Sequence, residues 1–453
     1  NTKGIPRNKE LEKQSINIGS INAGEFESLS STDFENIKRA LINEIPLIEP
    51  RKPLPHQKKA IKKIVHAFKV AKEKKGKLIH ACGTGKTLTS YYVYQELKPK
   101  LAVFVVPSLQ LINQTIIEWS TESIANNYMI FPFVVCSDES NEKVEDGDPK
   151  LWLQELGIKV SNKKIEVKKF INSKRQRKVI FTTYQSSKVI GKILKDFKVN
   201  PDLVFFDEAH NTVTSKAKSR VFLLSDNNLK IKNRLFMTAT PKLLKGKNAK
   251  YFSMDDEETY GKELDFISVK EAVENLNVLN DYVITSQIFS SESSKELLKE
   301  NPFVIDKEKI PKEEELKLIN SSLLLKKIVK KYKLKNFVSF HSRVKRARLF
   351  AKGINNILGE KKFFSFHVHG KQTGTERQRI LDEFSLNSPS LVTNAQCLSE
   401  GINVPTIDGI IFVDPKQSNI SITQAIGRAL RKPRGIKKGK SHIILPIIIN
   451  PND

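Results

Sequence analysis

Short, uninterrupted apolar runs recur along this chain, and segments with helical periodicity separate them. The clearest run is Leu101–Val106, which Pro107 ends. Alternate side chains of a strand point to opposite faces, so a run that is apolar throughout predicts a strand buried on both faces. Such strands alternating with helices predict a doubly wound α/β fold, with a parallel sheet covered on both sides. Similar runs occupy residues 179–183, 203–206, 234–238, 337–340, 391–393 and 409–413.

The length and the changes of composition along the chain predict its division into domains. A chain of 453 residues allows about three structural units. Residues 1–51 are polar and predict a linker or the tail of an upstream domain. A first α/β domain is predicted at 52–245, a charged connector at 246–316 and a second α/β domain at 317–453. A charged insertion at about 137–178 begins acidic and ends basic, which is typical of a solvated insertion or of a nucleic-acid contact.

Net charge and cysteine content narrow the class of protein. Lys and Arg number 77 and Asp and Glu 50, for a net charge of +27. This excess favours a polyanionic partner, with nucleic acid ahead of a membrane surface. The abundance of Lys, Ile and Asn is also the bias that an AT-rich genome imposes without any binding function. The three cysteines lack disulfide or metal-ligand spacing, and no apolar run approaches a membrane span, so we expect a reducing, cytoplasmic environment.

A glycine-rich turn, Ala-Cys-Gly-Thr-Gly-Lys-Thr, follows a predicted short strand and precedes a predicted helix. Gly83 and Gly85 let backbone N–H groups approach phosphate oxygens, and the helix N-terminus adds its positive dipole end. In the general phosphate-loop pattern, Lys86 reaches the β- and γ-phosphates and the Thr87 hydroxyl binds Mg²⁺. That pattern has glycine where this chain has His80, but the residues that surround the phosphates are kept.

A second motif, which is acidic, suits the same nucleotide site as the glycine-rich turn. The apolar run at 203–206 ends in Asp207 and Glu208, followed by an alanine and His210. A Mg·ATP site needs a carboxylate opposite the phosphate loop to hold the metal, which is the role predicted for Asp207. Glu208 is the predicted general base for the attacking water. His210 is either a structural histidine or a bridge from the nucleotide site to the second domain.

A basic helical pattern near the C-terminus supplies candidate arginine fingers. Gln424, Arg428 and Arg431 are spaced i, i+4 and i+7, so they share one face of a helix. Arginines that enter a nucleotide site from a neighbouring domain stabilise the charge of the transition state. A solvated basic helix is the alternative interpretation of this pattern.

Taken together, these motifs resemble those of superfamily 2 helicases and translocases of the DEAD/DEAH-box type, which have two RecA-like domains. The resemblance runs in order from about residue 52 to 450, and the acidic motif reads Asp-Glu-Ala-His literally. Asn403 departs from the family pattern, since many relatives have Asp there. The matching segments are residues 54–57, 81–87, 106–114, 182–185, 207–210, 237–241, 339–343, 393–405 and 424–431.

The resemblance implies a role for each matching position. Gln57 is the implied adenine reader, and the residues implied to catalyse hydrolysis are Lys86, Asp207, Glu208, Arg428 and Arg431. The implied nucleotide contacts are Gln57, Gly83, Thr84, Gly85, Lys86, Thr87, Gly401 and Gln424, with Thr87 and Asp207 holding the metal. Those implied for nucleic acid are Pro107, Ser108, Thr183, Ser342, Arg343 and Thr393. The implied coupling residues are His210, Thr238 and Thr240.

A finer resemblance concerns the motor modules of bacterial restriction-modification enzymes. It is carried by residues 80–82 and by residues 253–261, Ser-Met-Asp-Asp-Glu-Glu-Thr-Tyr-Gly. In single-chain enzymes of this type, a nuclease domain lies upstream and modification and target-recognition domains lie downstream. Such domains, or separate subunits, are therefore possible partners. A motor of viral or mobile-element origin fits the same residues.

The resemblance implies an ATP-dependent DNA helicase or translocase that uses ATP and Mg²⁺ and serves a restriction or defence system. DNA is favoured over RNA, and no membrane partner is expected. Two alternatives remain open: an RNA helicase with the same site, and a nucleic-acid-binding scaffold with little ATP turnover.

Overall fold

The computed structural model describes most of the chain between residues 48 and 449. Most of the predicted tail, the acidic part of the insertion, Cys397 and Gly401 lie outside the described residues. The described residues are 31, 34, 35, 38, 39, 48–136, 153, 157–215, 219–244, 251–290, 312–358, 363–370, 372, 374–395, 407–414, 418–432 and 439–449.

Seven parallel strands form the sheet of the first domain, in the order β3-β4-β2-β5-β6-β1-β7. The strands in its middle are buried throughout, which explains their uninterrupted apolar runs. In chain order the strands are β1 Lys75–His80, β2 Leu101–Val106, β3 Phe131–Val135, β4 Lys178–Thr183, β5 Leu203–Asp207, β6 Asn233–Thr238 and β7 Lys262–Ile267.

Helices cover both faces of this sheet. One core packs α1, α2 and α3 against side chains such as Phe104 and Leu235, while the opposite core packs α4, α5 and two short 3₁₀ helices around Phe206 and Phe236. These helices are α1 Pro55–Lys69, α2 Lys86–Leu97, α3 Leu109–Ala125, α4 Lys164–Asn172 and α5 Ser187–Asp196; the 3₁₀ helices are Ala209–Thr212 and Ser219–Leu224. Two short helices flank β7: α6 Glu257–Tyr260 and α7 Val269–Glu274.

The second domain repeats the architecture with six parallel strands, in the order β10-β11-β9-β12-β13-β8. Its strands are β8 Tyr282–Ser290, β9 Asn336–Phe340, β10 Phe364–Val368, β11 Ser390–Asn394, β12 Gly409–Phe412 and β13 Ser441–Ile449. Its helices are α8 Lys312–Tyr332, α9 Val344–Leu358, α10 Gly374–Leu386 and α11 Asn419–Ala429. One core packs α8 and α9, and the other packs α10 and α11. The predicted doubly wound fold is confirmed in both domains.

The stretch assigned to a connector, 246–316, contributes an edge strand to each sheet. Here β7 pairs with β1, and β8 pairs with β13 along nine residues. Both strands expose alternate residues; Phe266 on β7 and Ile284 on β8 are at least half exposed. An edge strand therefore lacks the continuous apolar run of a central strand, so neither β7 nor β8 was predictable from such a run.

Candidate active site

The phosphate loop follows β1 and leads into α2, at the carboxyl edge of the sheet where doubly wound folds bind ligands. Gly83 and Gly85 have φ of +89° and +84°, in the left-handed region that favours glycine. A Cβ at Gly85 would lie 2.3 Å from Gln57 Nε2, so a side chain there would displace the Gln57 amide. No side chain caps α2, and its first N–H groups point toward the loop. This local structure suits an anion.

Lys86 begins α2, and its Nζ donates to the carbonyl of His80 at 3.1 Å. Burial lowers the pKa of Lys86, but the neighbouring Cys82 and the carboxylates of Glu208 and Asp207 raise it to a net value above normal. The ammonium group is therefore charged and lies within electrostatic range of both predicted catalytic carboxylates.

Gln57, the implied adenine reader, contacts the phosphate loop directly. Its Nε2 donates to the carbonyls of Gly85 at 3.1 Å and Thr84 at 3.3 Å, while its Oε1 accepts from the N–H of Leu54. The ring of His56 also lies 3.0 Å from the Thr84 carbonyl. The first turn of α1 thus supports the loop, and adenine recognition by Gln57 stays a prediction.

Asp207 and Glu208 lie together at the end of β5. Burial, and then the charge of Glu208, raise the pKa of Asp207 to about 7. Burial raises the pKa of Glu208 as well, but a hydrogen bond from His210 and the charge of Lys86 lower it to a net value below normal. Glu208 has φ of +48°, an uncommon conformation for a residue with a side chain, and its backbone turns sharply away from the strand. Glu208 is thus the more readily ionised of the two, as a general base must be.

The residues around Asp207 fit a hard divalent cation. Mg²⁺ is usually held by one or two carboxylates together with substrate phosphates. The raised pKa of Asp207 shows that the surrounding positive charge does not fully balance a carboxylate at this buried position. Asp207 and the Thr87 hydroxyl provide the oxygen ligands that Mg²⁺ prefers. No cluster of three His, Cys, Asp or Glu side chains that could hold a metal ion occurs among the described residues.

The three implied coupling residues lie in one hydrogen-bonded chain. His210 Nδ1 lies 3.0 Å from Thr238 Oγ1 and 3.4 Å from Glu208 Oε2. The Thr238 hydroxyl in turn accepts from the N–H of Thr240 at 3.2 Å. The end of β6 is therefore linked through His210 to the predicted general base, inside the first domain.

The second domain reaches this site through α11. A Cβ at Gly427 would lie 2.5 Å from Cys82 Cβ, and a Cβ at Gly83 would lie 3.4 Å from Arg431 Cγ. The charge of Arg428 lowers the pKa of Glu208. The charges of Lys86, Arg428 and Arg431 also lower the pKa of Cys82, but burial has the larger effect and leaves that pKa above its ordinary value. Arg431 therefore lies against the phosphate loop, and Arg428 lies within electrostatic range of Cys82 and Glu208.

A short segment between β7 and β8 supports this interface. Leu279 forms an antiparallel bridge with Arg431, and the N–H of Asn280 donates to the Leu430 carbonyl at 2.8 Å. An apolar cluster crosses the same boundary, with members Ala81, Ile267, Ala272, Leu279 and Leu430. Beside it, a cavity of about 320 Å³ lies between the domains, lined by residues that include Thr240, Ser268 and Thr423. Gln424 is buried on α11.

In the first domain the implied nucleic-acid residues Pro107 and Ser108 follow β2, and Thr183 ends β4. Both strands lie on the opposite side of β5 from the phosphate loop. Ser108 caps α3 by accepting from the N–H of Leu111, and Pro107 precedes it. Thr183 is buried, and its hydroxyl donates to Ser186 Oγ at 3.2 Å. The topology therefore separates these residues from the nucleotide residues, but Thr183 presents little surface to a ligand.

In the second domain Ser342 and Arg343 follow β9, and Thr393 lies near the end of β11. Ser342 donates to the buried carboxylate of Asp414 from both its N–H and its hydroxyl, each at 2.8 Å. Thr393 is fully buried, and its hydroxyl lies 2.9 Å from His367 Nδ1. Arg343 is exposed at the start of α9. Ser342 is exposed as well, and contact with nucleic acid stays a prediction for all three residues.

Sequence reasoning missed several residues that support these loops. Asp414 also accepts from Arg346 Nη1 at 2.6 Å, so it fixes the loop that carries Ser342. Arg51 forms an ion pair with the buried carboxylate of Glu122 and anchors the segment that leads to Gln57. Their partners lie more than sixty residues away, and single-sequence patterns do not reveal such pairs. None of the helices in the described ranges is long and apolar enough to cross a membrane.

Comparisons with known proteins agree with this geometry. The family model described as "Type III restriction enzyme, res subunit" matches residues 51–243, and that described as "Helicase conserved C-terminal domain" matches residues 320–433. A protein described as a probable helicase of African swine fever virus is 26% identical over 376 residues, which cover 82% of this chain and 38% of the viral protein.

Solved structures give the same result. The ATP-dependent Type ISP restriction-modification enzyme LlaBIII bound to DNA has a TM-score of 0.70 and 25% identity, covering 89% of this chain and 28% of that enzyme. A Vibrio vulnificus protein described as an HsdR subunit of a type I restriction enzyme shares the fold, with a TM-score of 0.56, 17% identity and coverage of 93% of this chain and 68% of that one. The chain thus spans well under half of the viral relative and of the Type ISP enzyme. It belongs to the superfamily 2 helicases, as a relative of the motor modules of restriction enzymes.

Proposed function

We propose that this chain is an ATP-dependent DNA translocase or helicase that hydrolyses ATP between its two RecA-like domains. The observation that carries this proposal is the approach of α11 to the phosphate loop, which brings Arg428 and Arg431 into electrostatic range of the site that contains Lys86 and Glu208. A nucleotide bound there would contact both domains at once.

The residues present suit hydrolysis by an activated water. The phosphate-loop N–H groups and Lys86 would bind the β- and γ-phosphates, and Glu208 would accept a proton from the attacking water. Thr87 and Asp207 would hold Mg²⁺, which neutralises phosphate charge when bound. The bond from the γ-phosphorus to its bridging oxygen then breaks, giving ADP and phosphate, while Arg428 and Arg431 stabilise the charge that develops.

Movement would follow from the difference between the ATP-bound and product-bound interface. ATP offers the arginines a γ-phosphate, so the closed arrangement binds it better than an open one. Loss of that phosphate removes the difference and lets the domains separate. Contacts on the β2, β4, β9 and β11 ends would hold the nucleic-acid backbone during the cycle, and backbone contacts position a protein without reading sequence.

DNA is the substrate that the comparisons favour. LlaBIII, the Type ISP enzyme with the TM-score of 0.70, is bound to DNA. We extend this to a role as the motor of a restriction or defence system, in which nuclease or modification functions come from other domains or subunits. RNA remains the alternative substrate, because backbone contacts alone do not distinguish the two and contacts to the 2′-OH do.

Steady-state ATP hydrolysis by this chain tests the proposal. Single-stranded DNA, duplex DNA and RNA are added in turn, with Lys86→Ala as the blank. Stimulation by DNA and not by RNA is the expected result. Stimulation by RNA alone would reassign the substrate, and Lys86-independent or absent turnover with every nucleic acid would favour the scaffold interpretation.

A further inference from the structure

The residue that replaces the first glycine of the phosphate-loop pattern is buried and paired. His80 ends β1 with no exposed surface, and its Nε2 lies 2.8 Å from Asp265 Oδ2 on β7. The other oxygen of that carboxylate accepts from Lys63 Nζ on α1 at 2.6 Å. Three elements, β1, β7 and α1, therefore meet at one buried carboxylate beside the phosphate loop.

The charges in this network are balanced. Burial raises the pKa of Asp265, but the hydrogen bonds from His80 and Lys63 lower it to a net value below normal. Burial lowers the pKa of His80, which also faces the charge of Lys86. A neutral imidazole satisfies this arrangement, because Nε2–H donates to Asp265. Its buried Nδ1 has no hydrogen-bond partner among the described residues, so no acceptor there would stabilise a second proton on the ring.

A β-bulge directs Asp265 toward His80. The register of β7 against β1 shifts between Lys77 and Leu78, which leaves Leu264 as the extra residue of β7. Leu264 packs over Gly76, where a Cβ would lie 2.3 Å from its side chain. A bulge of this kind re-aims the side chain that follows it. The contact between His80 and Asp265 is thus built into the pairing of the two strands.

The same network touches both halves of the nucleotide site. On one side, the His80 carbonyl accepts from Lys86 Nζ, and the N–H of Ala81 donates to the carbonyl of Ile267, the last residue of β7. On the other side, β7 continues through Ser268 into the segment that carries Leu279, which pairs with the arginine-finger region of α11. The end of β7 is therefore bound to the phosphate loop and to the interface at once.

We propose that His80 and Asp265 are positioning residues for ATP hydrolysis. The pair holds the phosphate loop in register with β7 and so with the segment that supports the arginines of the second domain. This inference rests on the proposed function, because it concerns the alignment of the same nucleotide site. Neither residue touches the nucleotide phosphates in this assignment; each acts through Lys86 and through the interface.

The test compares His80→Leu with His80→Gln in nucleic-acid-stimulated ATP hydrolysis. Leucine fills space but cannot donate to Asp265, whereas the glutamine amide reaches about as far as Nε2 and can donate. We expect His80→Leu to lower kcat about tenfold, as for loss of one hydrogen bond to a charged group, and to change the KM for ATP less. His80→Gln should keep kcat within about threefold of the wild type.

Two further measurements separate positioning from simple support of the fold. The melting temperature without nucleotide is measured for each variant, and Asp265→Leu is combined with His80→Leu. If the two residues act as a pair, the double variant should be no slower than the slower single variant. Equal loss of kcat in His80→Gln and His80→Leu, additive losses, or a lowered melting temperature with unchanged kcat would each overturn the proposal.

The proposed function can fail independently of this inference. If the wild type shows no Lys86-dependent hydrolysis, the proposed function is wrong, and binding of a non-hydrolysable ATP analogue becomes the readout. The expected order of affinity is then wild type and His80→Gln above His80→Leu. An equal affinity of all three would overturn the positioning role.

Discussion

Glu208 is an example of an ionisable side chain that the fold places at the end of a strand. Its backbone adopts a left-handed conformation with φ of +48°, and its carboxylate faces His210 at 3.4 Å. A residue with a side chain held in this region costs free energy, and such strain is common at functional sites. The acidic motif could be predicted from the sequence because its residues are adjacent. The pairing of His80 with Asp265 could not, because 185 residues separate the two partners.

Replacement of the predicted general base tests the assignment of Glu208. Glu208→Gln keeps the size of the side chain but cannot accept the water proton. We therefore expect kcat to fall by about 10²- to 10⁴-fold while ATP binding is retained. Glu257→Gln, an exposed carboxylate, is the matched control and should hydrolyse ATP at the wild-type rate. An unchanged rate in Glu208→Gln would exclude Glu208 as the base.

The raised pKa of Asp207 predicts how stability depends on pH. A carboxyl group whose pKa is higher in the folded state than its ordinary value binds its proton more tightly when folded. The contribution of Asp207 to the free energy of unfolding is therefore lost as the pH rises from about 4 to about 7. Asp207→Asn stays neutral, so we expect it to be more stable than the wild type at pH 8, by at least about 1 kcal/mol, and no more stable at pH 4.

Thermal unfolding without nucleotide, at both pH values, measures this difference. Glu257→Gln again serves as the control. A wild type whose stability relative to Asp207→Asn does not change between pH 4 and pH 8 would contradict the raised pKa.

At the scale of elements, central strands were predictable and edge strands were not. The run Leu101–Val106 is β2 with the same bounds, because both of its faces are buried. By contrast, β7 shows residues such as Lys262 and Phe266 to solvent. Its alternating pattern resembles that of any charged surface segment, and its place beside β1 depends on a bulge that the sequence does not reveal. Helix α11 could be predicted because Gln424 and the two arginines recur at helical spacing. Its contact with Cys82 could not, because a tertiary contact leaves no pattern in the local sequence.

Close packing of α11 on the phosphate loop gives a prediction about the interface. Gly427→Val would place side-chain atoms where a Cβ already lies 2.5 Å from Cys82 Cβ, so the two elements must separate. Displacement of about 1 Å in an active site can cost 10²-fold in rate, and we expect kcat to fall at least about tenfold.

The control for this change is Gly439→Val, at a position where a Cβ meets no atom within 4 Å. Its kcat should match that of the wild type. Wild-type kcat in Gly427→Val would show that hydrolysis does not require the observed approach of α11.

At the scale of the whole molecule, charge governs the strength of nucleic-acid binding. A protein of net charge +27 that contacts phosphates should bind more weakly as salt rises. Arg343→Ala should lower the slope of log affinity against log salt by about 1, if Arg343 contacts one phosphate. Lys262→Ala removes the same charge at the start of β7, distant in topology from the predicted contacts, and should leave the slope unchanged. Fluorescence anisotropy with labelled DNA, over a range of salt concentrations, measures both slopes.

The edge strands also determine where this chain could be divided into working halves. The two family matches end at residue 243 and begin at residue 320, so both omit β7 and β8. A first half cut at residue 243 would lose Asp265 and leave β1 as an open sheet edge, prone to pair with other chains. A gene split that respects both sheets would have to fall between Ile267 and Tyr282, inside the segment that Leu279 fastens to α11. The boundary for modular exchange thus falls in the same segment that joins the phosphate-loop sheet to the arginine fingers.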